Sequence, residues 1–217
     1  MQLSQIYRHR FSSEARQEKD AIWRVLCQHF FQRYIPTNAT VLDLGAGFCE
    51  FLRHIECQER IAVDLNEDVK LFAPQGTKIL NSPAHQLSGL AENTIDIVFA
   101  SNFFEHLPDT DHLMLTLLEA KRVLRSGGKL LILQPNIRFL HGAYWDFVDH
   151  HLPLTDRTIV EALTMVEMRV EEVIPRFLPY TTRSFLPQHP ILVRLYLMFP
   201  IVWRILGKQT WIVGGKP

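Results

Sequence analysis

Cysteine is scarce in this 217-residue chain: Cys27, Cys49 and Cys57 are an odd set without a CxxC pair or any other metal-ligand spacing. That argues against a disulfide framework and points to a reducing, cytoplasmic compartment. Net charge is missing too. Lysine plus arginine and aspartate plus glutamate both number 23, so no overall field recruits nucleic acid or an anionic membrane. Residues 1–20 contain no apolar run of the kind a signal peptide carries. The most apolar stretch, ILVRLYLMFPIVWRIL (191–206), falls short of the roughly 20 residues of a spanning helix. It is also interrupted by Arg194, Pro200 and Arg204, so it is expected to lie on a bilayer at most. Internal repeats, low-complexity tracts and linkers are absent.

What is present is an ordinary globular balance, 47% hydrophobic and 21% charged. Residues 14–34 place Ile22, Val25, Leu26, Phe30 and Tyr34 on one helical face, with Ser12 and Ser13 as caps and Pro36 as terminator. Short apolar runs then alternate with helical patterns. Residues 40–44, 60–64, 78–80, 95–101 and 129–134 read as strands, and runs apolar on both faces predict a parallel sheet covered by helices on each side. The spacing predicts a helix with Asp109 to Asp111 at its start, Leu113, Leu117, Ala120 and Leu124 along one face, and Gly127-Gly128 as its end. Residues 135–155 are rich in aromatics and histidines without periodicity, and read as a long functional loop. A helix over 155–166, strands near 170–174 and 210–213, and the apolar segment complete the chain.

In an open parallel sheet, ligands bind beyond the carboxyl ends of the strands. After the first strand comes VLDLGAGFCEF (41–51), whose glycines let backbone approach a ligand closely. A dinucleotide fingerprint wants a third glycine at position 50. This chain has Glu50 there, which would repel a pyrophosphate at a helix start and disfavours an NAD(P) enzyme. After the second strand stands Asp64, a carboxylate able to accept from both hydroxyls of a ribose. After the fourth come Ser101, Asn102, Phe103, Phe104, Glu105 and His106.

Together DLGAG (43–47), VDLN (63–66), DIVFASNFFEHL (96–107) and RVLRSGGKLLILQPN (122–136) resemble the class I S-adenosylmethionine-dependent methyltransferases, in order and spacing, across residues 38–175. The resemblance implies an α/β fold of Rossmann-like type: a doubly wound, seven-stranded, mostly parallel sheet with an antiparallel last strand and helices on both faces. It implies S-adenosylmethionine as cofactor and S-adenosylhomocysteine as product. It places Gly45, Ala46 and Gly47 against the methionine and ribose portions, Asp43 behind the methionine end, and Asp64 with Leu65 at the ribose. Ser101, Asn102 and Phe103 fall beside the sulfonium and substrate. Two positions depart from the family pattern. Cys49 stands where a small residue is usual, and after the third strand NSPAHQL (81–87) puts Ala84 and His85 where many relatives carry an acid for the adenine amino group.

On the acceptor side, an oxygen or carbon nucleophile needs a base tuned near neutral pH. His106, His150 and His151 are the candidate catalytic residues, with Tyr144, Trp145 and Asp149 as the acceptor-binding wall. No metal is expected, because ligands drawn from one loop fit poorly with metal-site spacing. The whole chain, 1–217, is expected to be one methyltransferase domain. It divides into an N-terminal helical lid (1–36) with Tyr7, Arg10 and Phe11 nearest the cleft, a cofactor-binding core (37–175), and an apolar insertion between the last two strands (176–209). For residues 190–206 three readings compete: a homodimer interface, a membrane-surface element, and additional core. The leading function is methyl transfer to a small-molecule acceptor, lipid-linked or glycan-type, by in-line displacement, with no nucleic-acid partner and a cytoplasmic or membrane-peripheral location. The alternative is a non-catalytic protein of the same fold, binding the cofactor as a sensor or partner scaffold.

Overall fold

Seven strands hydrogen-bond in the order β3-β2-β1-β4-β5-β7-β6 in a computed structural model that describes residues 13–180 and 189–217. They are β1 (Thr40–Leu44), β2 (Glu59–Val63), β3 (Lys78–Leu80), β4 (Ile95–Ser101), β5 (Leu124–Pro135), β6 (Arg169–Ile174) and β7 (Gln209–Gly215). The β1–β2, β1–β4, β2–β3 and β4–β5 pairs are parallel, and β7 runs antiparallel to both β5 and β6. The order reverses at β1, between β2 and β4, and in such sheets that switch opens a crevice at the carboxyl ends of the strands.

Alternate residues of each strand feed opposite layers, as the two-residue period requires. Leu42, Val98, Leu130 and Ile212 join one cluster, beneath α3 (Thr110–Val123) and α5 (Asp156–Met165). Val41, Phe99, Leu131 and Trp211 join the other, beneath α1 (Ser13–His29), α2 (Glu50–His54), α6 (Pro190–Met198) and α7 (Pro200–Leu206). The second layer is aromatic. Phe51 stacks on Phe99 with ring centroids 3.7 Å apart, and Phe30 on Phe177 at 4.1 Å. Trp211 is fully buried there, and its indole N–H donates to the Tyr34 hydroxyl, which donates in turn to Glu172. Both polar ends of the buried pair are thereby satisfied.

Several local expectations need correction. The first helix stops at His29, and Phe31–Tyr34 form a separate 3-10 turn. Helix α3 begins as expected, with the Asp109 side chain accepting from the His112 N–H at 2.9 Å, but it ends at Val123, four residues before Gly127. Leu124 is already extended and pairs with Ile95; a register shift follows before Ile97 meets Lys129. Gly127, at φ +74°, sits in that irregularity. The two glycines therefore serve a kinked strand entry instead of a helix end. Residues 135–155 are not one long loop: they contain α4 (Ile137–Leu140), capped by Asn136, and a 3-10 turn over His141–Asp146. The apolar segment is two helices broken at Phe199-Pro200, because proline opens a helix but cannot continue one.

Candidate active site

The turn after β1 is held by the strand beside it: the Gly45 and Ala46 N–H groups both donate to the Val63 carbonyl, at 2.9 and 3.1 Å. Gly45 and Gly47 take φ of +69° and +53°. A Cβ on Gly45 would stand 2.4 Å from Cδ2 of Phe103, so the close approach that requires glycine here is to a side chain from the turn after β4. Cys49 also lies in the left-handed region, at φ 55°. That explains why a glycine would suit this position and what cysteine costs in it, of the order of 1 kcal/mol. Its thiol is fully buried, and burial pushes its pKa up to about 12, so it is an inert packing group.

Three carboxylates converge on this turn. Asp64 accepts from the Gly47 N–H at 2.8 Å through one oxygen and from the Asn66 N–H at 2.7 Å through the other. Burial raises its pKa, and these backbone donors oppose the rise. Asp43 is buried at the end of β1, and no donor meets its carboxylate among the described residues. Burial holds it well above the usual carboxylate range, with Glu50 and Asp64 adding repulsion. Glu50 is buried as well and pairs with Lys19 of α1 at 3.1 Å. One turn further on, Arg53 bonds Asp20 of α1 and donates to the carbonyls of Phe48 (3.0 Å) and Phe72 (3.1 Å). Helix α1 is thus tied to both ends of α2. Tyr7, Arg10 and Phe11 of the expected lid lie outside the described residues.

The other expected cofactor residues follow β2, β3 and β4. Leu65, next to Asp64, is 57% exposed, an apolar side chain open at the rim. Ala84 is buried, and His85 meets His112 edge-on at 4.9 Å. Ser101 ends β4 and its hydroxyl accepts from the Asn102 side-chain amide at 3.0 Å. Asn102 is itself left-handed, at φ 47°, and its Oδ1 is buried without a partner. The buried unpaired acceptor after β4 and the three buried carboxylates around the turn after β1 offer acceptors and negative charge of the kind a cationic ligand needs, and S-adenosylmethionine, with its sulfonium and ammonium, fits them.

Beyond Phe103 lies a second polar group. His106 Nδ1 is 2.9 Å from the Asp149 carbonyl oxygen and 3.4 Å from its carboxylate, and Nε2 is 3.8 Å from Glu105 Oε1. Glu105, for which the sequence pattern offered no role, is 1% exposed. Burial raises its pKa; one oxygen accepts from the Gln134 amide at 2.9 Å while the other has no hydrogen-bond partner. Its carbonyl receives the His151 and Leu152 N–H groups, so the backbone of the second loop is clamped to the first. His150 is buried against Phe147, Tyr144 and His106, whereas the His151 side chain is exposed. Tyr144 corrects an expectation: it is fully buried, donating to the Leu152 carbonyl and accepting from the Leu154 N–H, so it anchors the loop and does not face an acceptor. Trp145, half exposed, and Asp149 remain on the outside of that loop. Glu105, His106 and His150 bring ligand atoms within 4.8 Å of one another, a grouping whose donor types could hold a metal ion.

Comparison with known proteins agrees with this geometry. Residues 42–132 match the family model described as a methyltransferase domain. No curated protein matches the sequence. Among solved structures, a SAM-dependent methyltransferase from Archaeoglobus fulgidus is 22% identical, with a TM-score of 0.65 over 89% of this chain and 92% of that one. One from Aquifex aeolicus is 16% identical, with a TM-score of 0.61 over 100% of both chains. A chain of the complex between the Haloferax volcanii Trm112 methyltransferase activator and its methyltransferase is 17% identical, with a TM-score of 0.68 over 93% of both. At these identities the structures establish the fold, and the methyltransferase-domain match over residues 42–132 supports a class I S-adenosylmethionine-dependent methyltransferase, with S-adenosylmethionine as cofactor and S-adenosylhomocysteine as product.

Proposed function

We propose that this methyltransferase acts on a hydroxyl-bearing small molecule, lipid-linked or glycan-type, and that His106 takes the acceptor's proton. The bound cofactor supplies an activated methyl group on a cationic sulfur. The protein's task is to hold it, align the acceptor and exclude water. Asp64 is assigned to the ribose hydroxyls, Asp43 and the Gly45–Gly47 turn to the methionine end, and Leu65, Ala84 and His85 to the adenine neighbourhood. Ser101, Asn102 and Phe103 line the passage from cofactor to acceptor, with Trp145 and Asp149 on the far wall.

The observation that carries the proton role is the His106–Asp149 contact. With Nδ1–H donating to the Asp149 carbonyl at 2.9 Å, Nε2 is left as the unprotonated nitrogen, one 3-10 turn from Phe103. The Asp149 carboxylate lies 3.4 Å from the same nitrogen and helps hold the ring in this orientation. His150 and His151 then hold the loop in place, one through its ring and the other through its backbone.

The test uses labelled S-adenosylmethionine and a fractionated lipid and glycan extract. Asp64→Ala is expected to abolish S-adenosylhomocysteine binding. His106→Asn is expected to keep that binding and to lower kcat about 100-fold or more. An unaltered rate in His106→Asn would remove the histidine from the proton path.

A further inference from the structure

Helices α6 and α7 present two unlike faces. Inward, Val193, Tyr196 and Leu197 pack on the aromatic core, and the buried Trp203 donates its indole N–H to the Tyr196 carbonyl at 2.8 Å. The core reading of this segment therefore holds for one face. Outward stand Ile191, Leu195, Met198, Phe199, Ile201 and Ile205, each between 47% and 68% exposed. Few other surfaces of the described residues expose so many large apolar side chains in so short a run, and such a patch on a soluble protein marks an interaction site.

Charge identifies the occupant. Residues 175–208 contain Arg176, Arg183, Arg194, Arg204 and Lys208 and not one aspartate or glutamate, in a chain whose totals balance at 23 and 23. Arg194, Arg204 and Lys208 are exposed, and no ion pair holds them among the described residues. A homodimer through this face would be self-complementary, setting Arg194 and Arg204 near their own copies without a carboxylate to offset them. Apolar side chains flanked by unpaired cations fit an anionic lipid surface: the side chains enter the acyl boundary and the guanidinium groups stay at the headgroups. Neither helix is long and apolar enough to cross a membrane.

The position of the patch adds meaning. Residues 175–208 connect the carboxyl end of β6 to the start of the antiparallel β7, which puts them at the same end of the sheet as the cofactor turn. The Asn136 N–H, opening the acceptor loop, donates to the Lys208 carbonyl at 3.0 Å, and Phe147 of that loop meets Tyr180 edge-on at 6.0 Å. Arg176 donates to the Ile205 and Gly207 carbonyls, fixing the end of α7, and lies 4.7 Å from the Phe139 ring. The acceptor loop thus touches Arg176, Tyr180 and Lys208, at the two ends of the segment that carries α6 and α7.

We propose that the outer faces of α6 and α7 dock the protein on an anionic bilayer, turning the acceptor side of the site toward the lipid. That a methyl acceptor is reached there rests on the function proposed above; the docking itself does not.

The full chain is sedimented with vesicles of phosphatidylcholine alone and of phosphatidylcholine mixed with phosphatidylglycerol. Expected is binding to the anionic vesicles that weakens with salt. It should fall about tenfold or more in Leu195→Asp/Ile201→Asp and in Arg194→Glu/Arg204→Glu, both retaining the wild-type melting temperature and S-adenosylhomocysteine binding. Absence of wild-type binding to anionic vesicles, or equal binding by the charge-reversed variant, overturns the proposal. So does a dimer, seen by sedimentation velocity, that the aspartate variant dissociates. Failure of the methyltransferase reading would appear separately, as wild-type protein that docks but does not bind S-adenosylhomocysteine.

Discussion

Two regions at the carboxyl end of the sheet have opposite chemistry. Around the turn after β1, Asp43, Glu50 and Asp64 are all buried, with Lys19 the one base paired to them among the described residues. In contrast, residues 175–208 carry five bases and no acid, and the outer faces of α6 and α7 expose Ile191, Leu195, Met198, Phe199, Ile201 and Ile205. The first region concentrates like charge in a low-dielectric place, which is unfavourable unless a cation arrives to offset it. The second leaves apolar surface in water, which is unfavourable until something covers it. Each region is thus incomplete alone in a way that names the chemistry of its partner.

The sharpest way to break the acidic region is Gly45→Ala. The added methyl would fall 2.4 Å from the Phe103 ring, on a residue at φ +69°. Strain and overpacking together should cost about 2–4 kcal/mol, read as a lower urea midpoint, with cofactor binding lost alongside.

Asp43→Asn tests the electrostatics more gently. The folded carboxyl titrates above its unfolded value of roughly 3.9, so the folded state binds the extra proton in the interval between the two. Stability contributed by the protonated form is complete below that interval and is lost as pH rises through it. The asparagine variant should therefore be more stable than wild type at neutral pH, by on the order of 1 kcal/mol, with a flatter pH profile. It should bind the cofactor more weakly. A variant less stable at neutral pH would show that the buried carboxylate is not a strained group.

The smallest effect belongs to the basic region. Ile201→Ser alters a side chain that is 63% exposed, and unfolding in urea should move by no more than about 0.5 kcal/mol. A larger loss would mean that this face is packed in the free protein.

Much of the fold was legible because the strands are short apolar runs between turn residues, and their both-face hydrophobicity pointed to a covered parallel sheet. The antiparallel last strand came from family resemblance. Gly127-Gly128 misled because glycine serves helix ends and strand irregularities alike, and sequence spacing does not separate them. Pro200 was seen as an interruption, but that it opens a second helix depends on packing by Trp203. In the candidate site, Asp43, Asp64 and the glycines are legible by position at strand ends, and their burial and the turn geometry are what the structure adds. Tyr144 was not legible, since an aromatic in an aperiodic segment reads as exposed until Leu152 and Leu154 are found around its hydroxyl. Glu105 was overlooked beside His106, although an acid between Phe104 and a histidine at a strand end was the available signal.

The Asp64 carboxylate has a consequence in time as well as in energy. Both of its oxygens are already fixed by backbone N–H groups, from Gly47 and Asn66. Its rotation is therefore arrested when the chain folds, and the entropy of orienting it is not charged again at each encounter. In the ribose role proposed for it, this residue would meet every incoming molecule in the same pose, and turnover would begin without waiting for the first contact to find its angle.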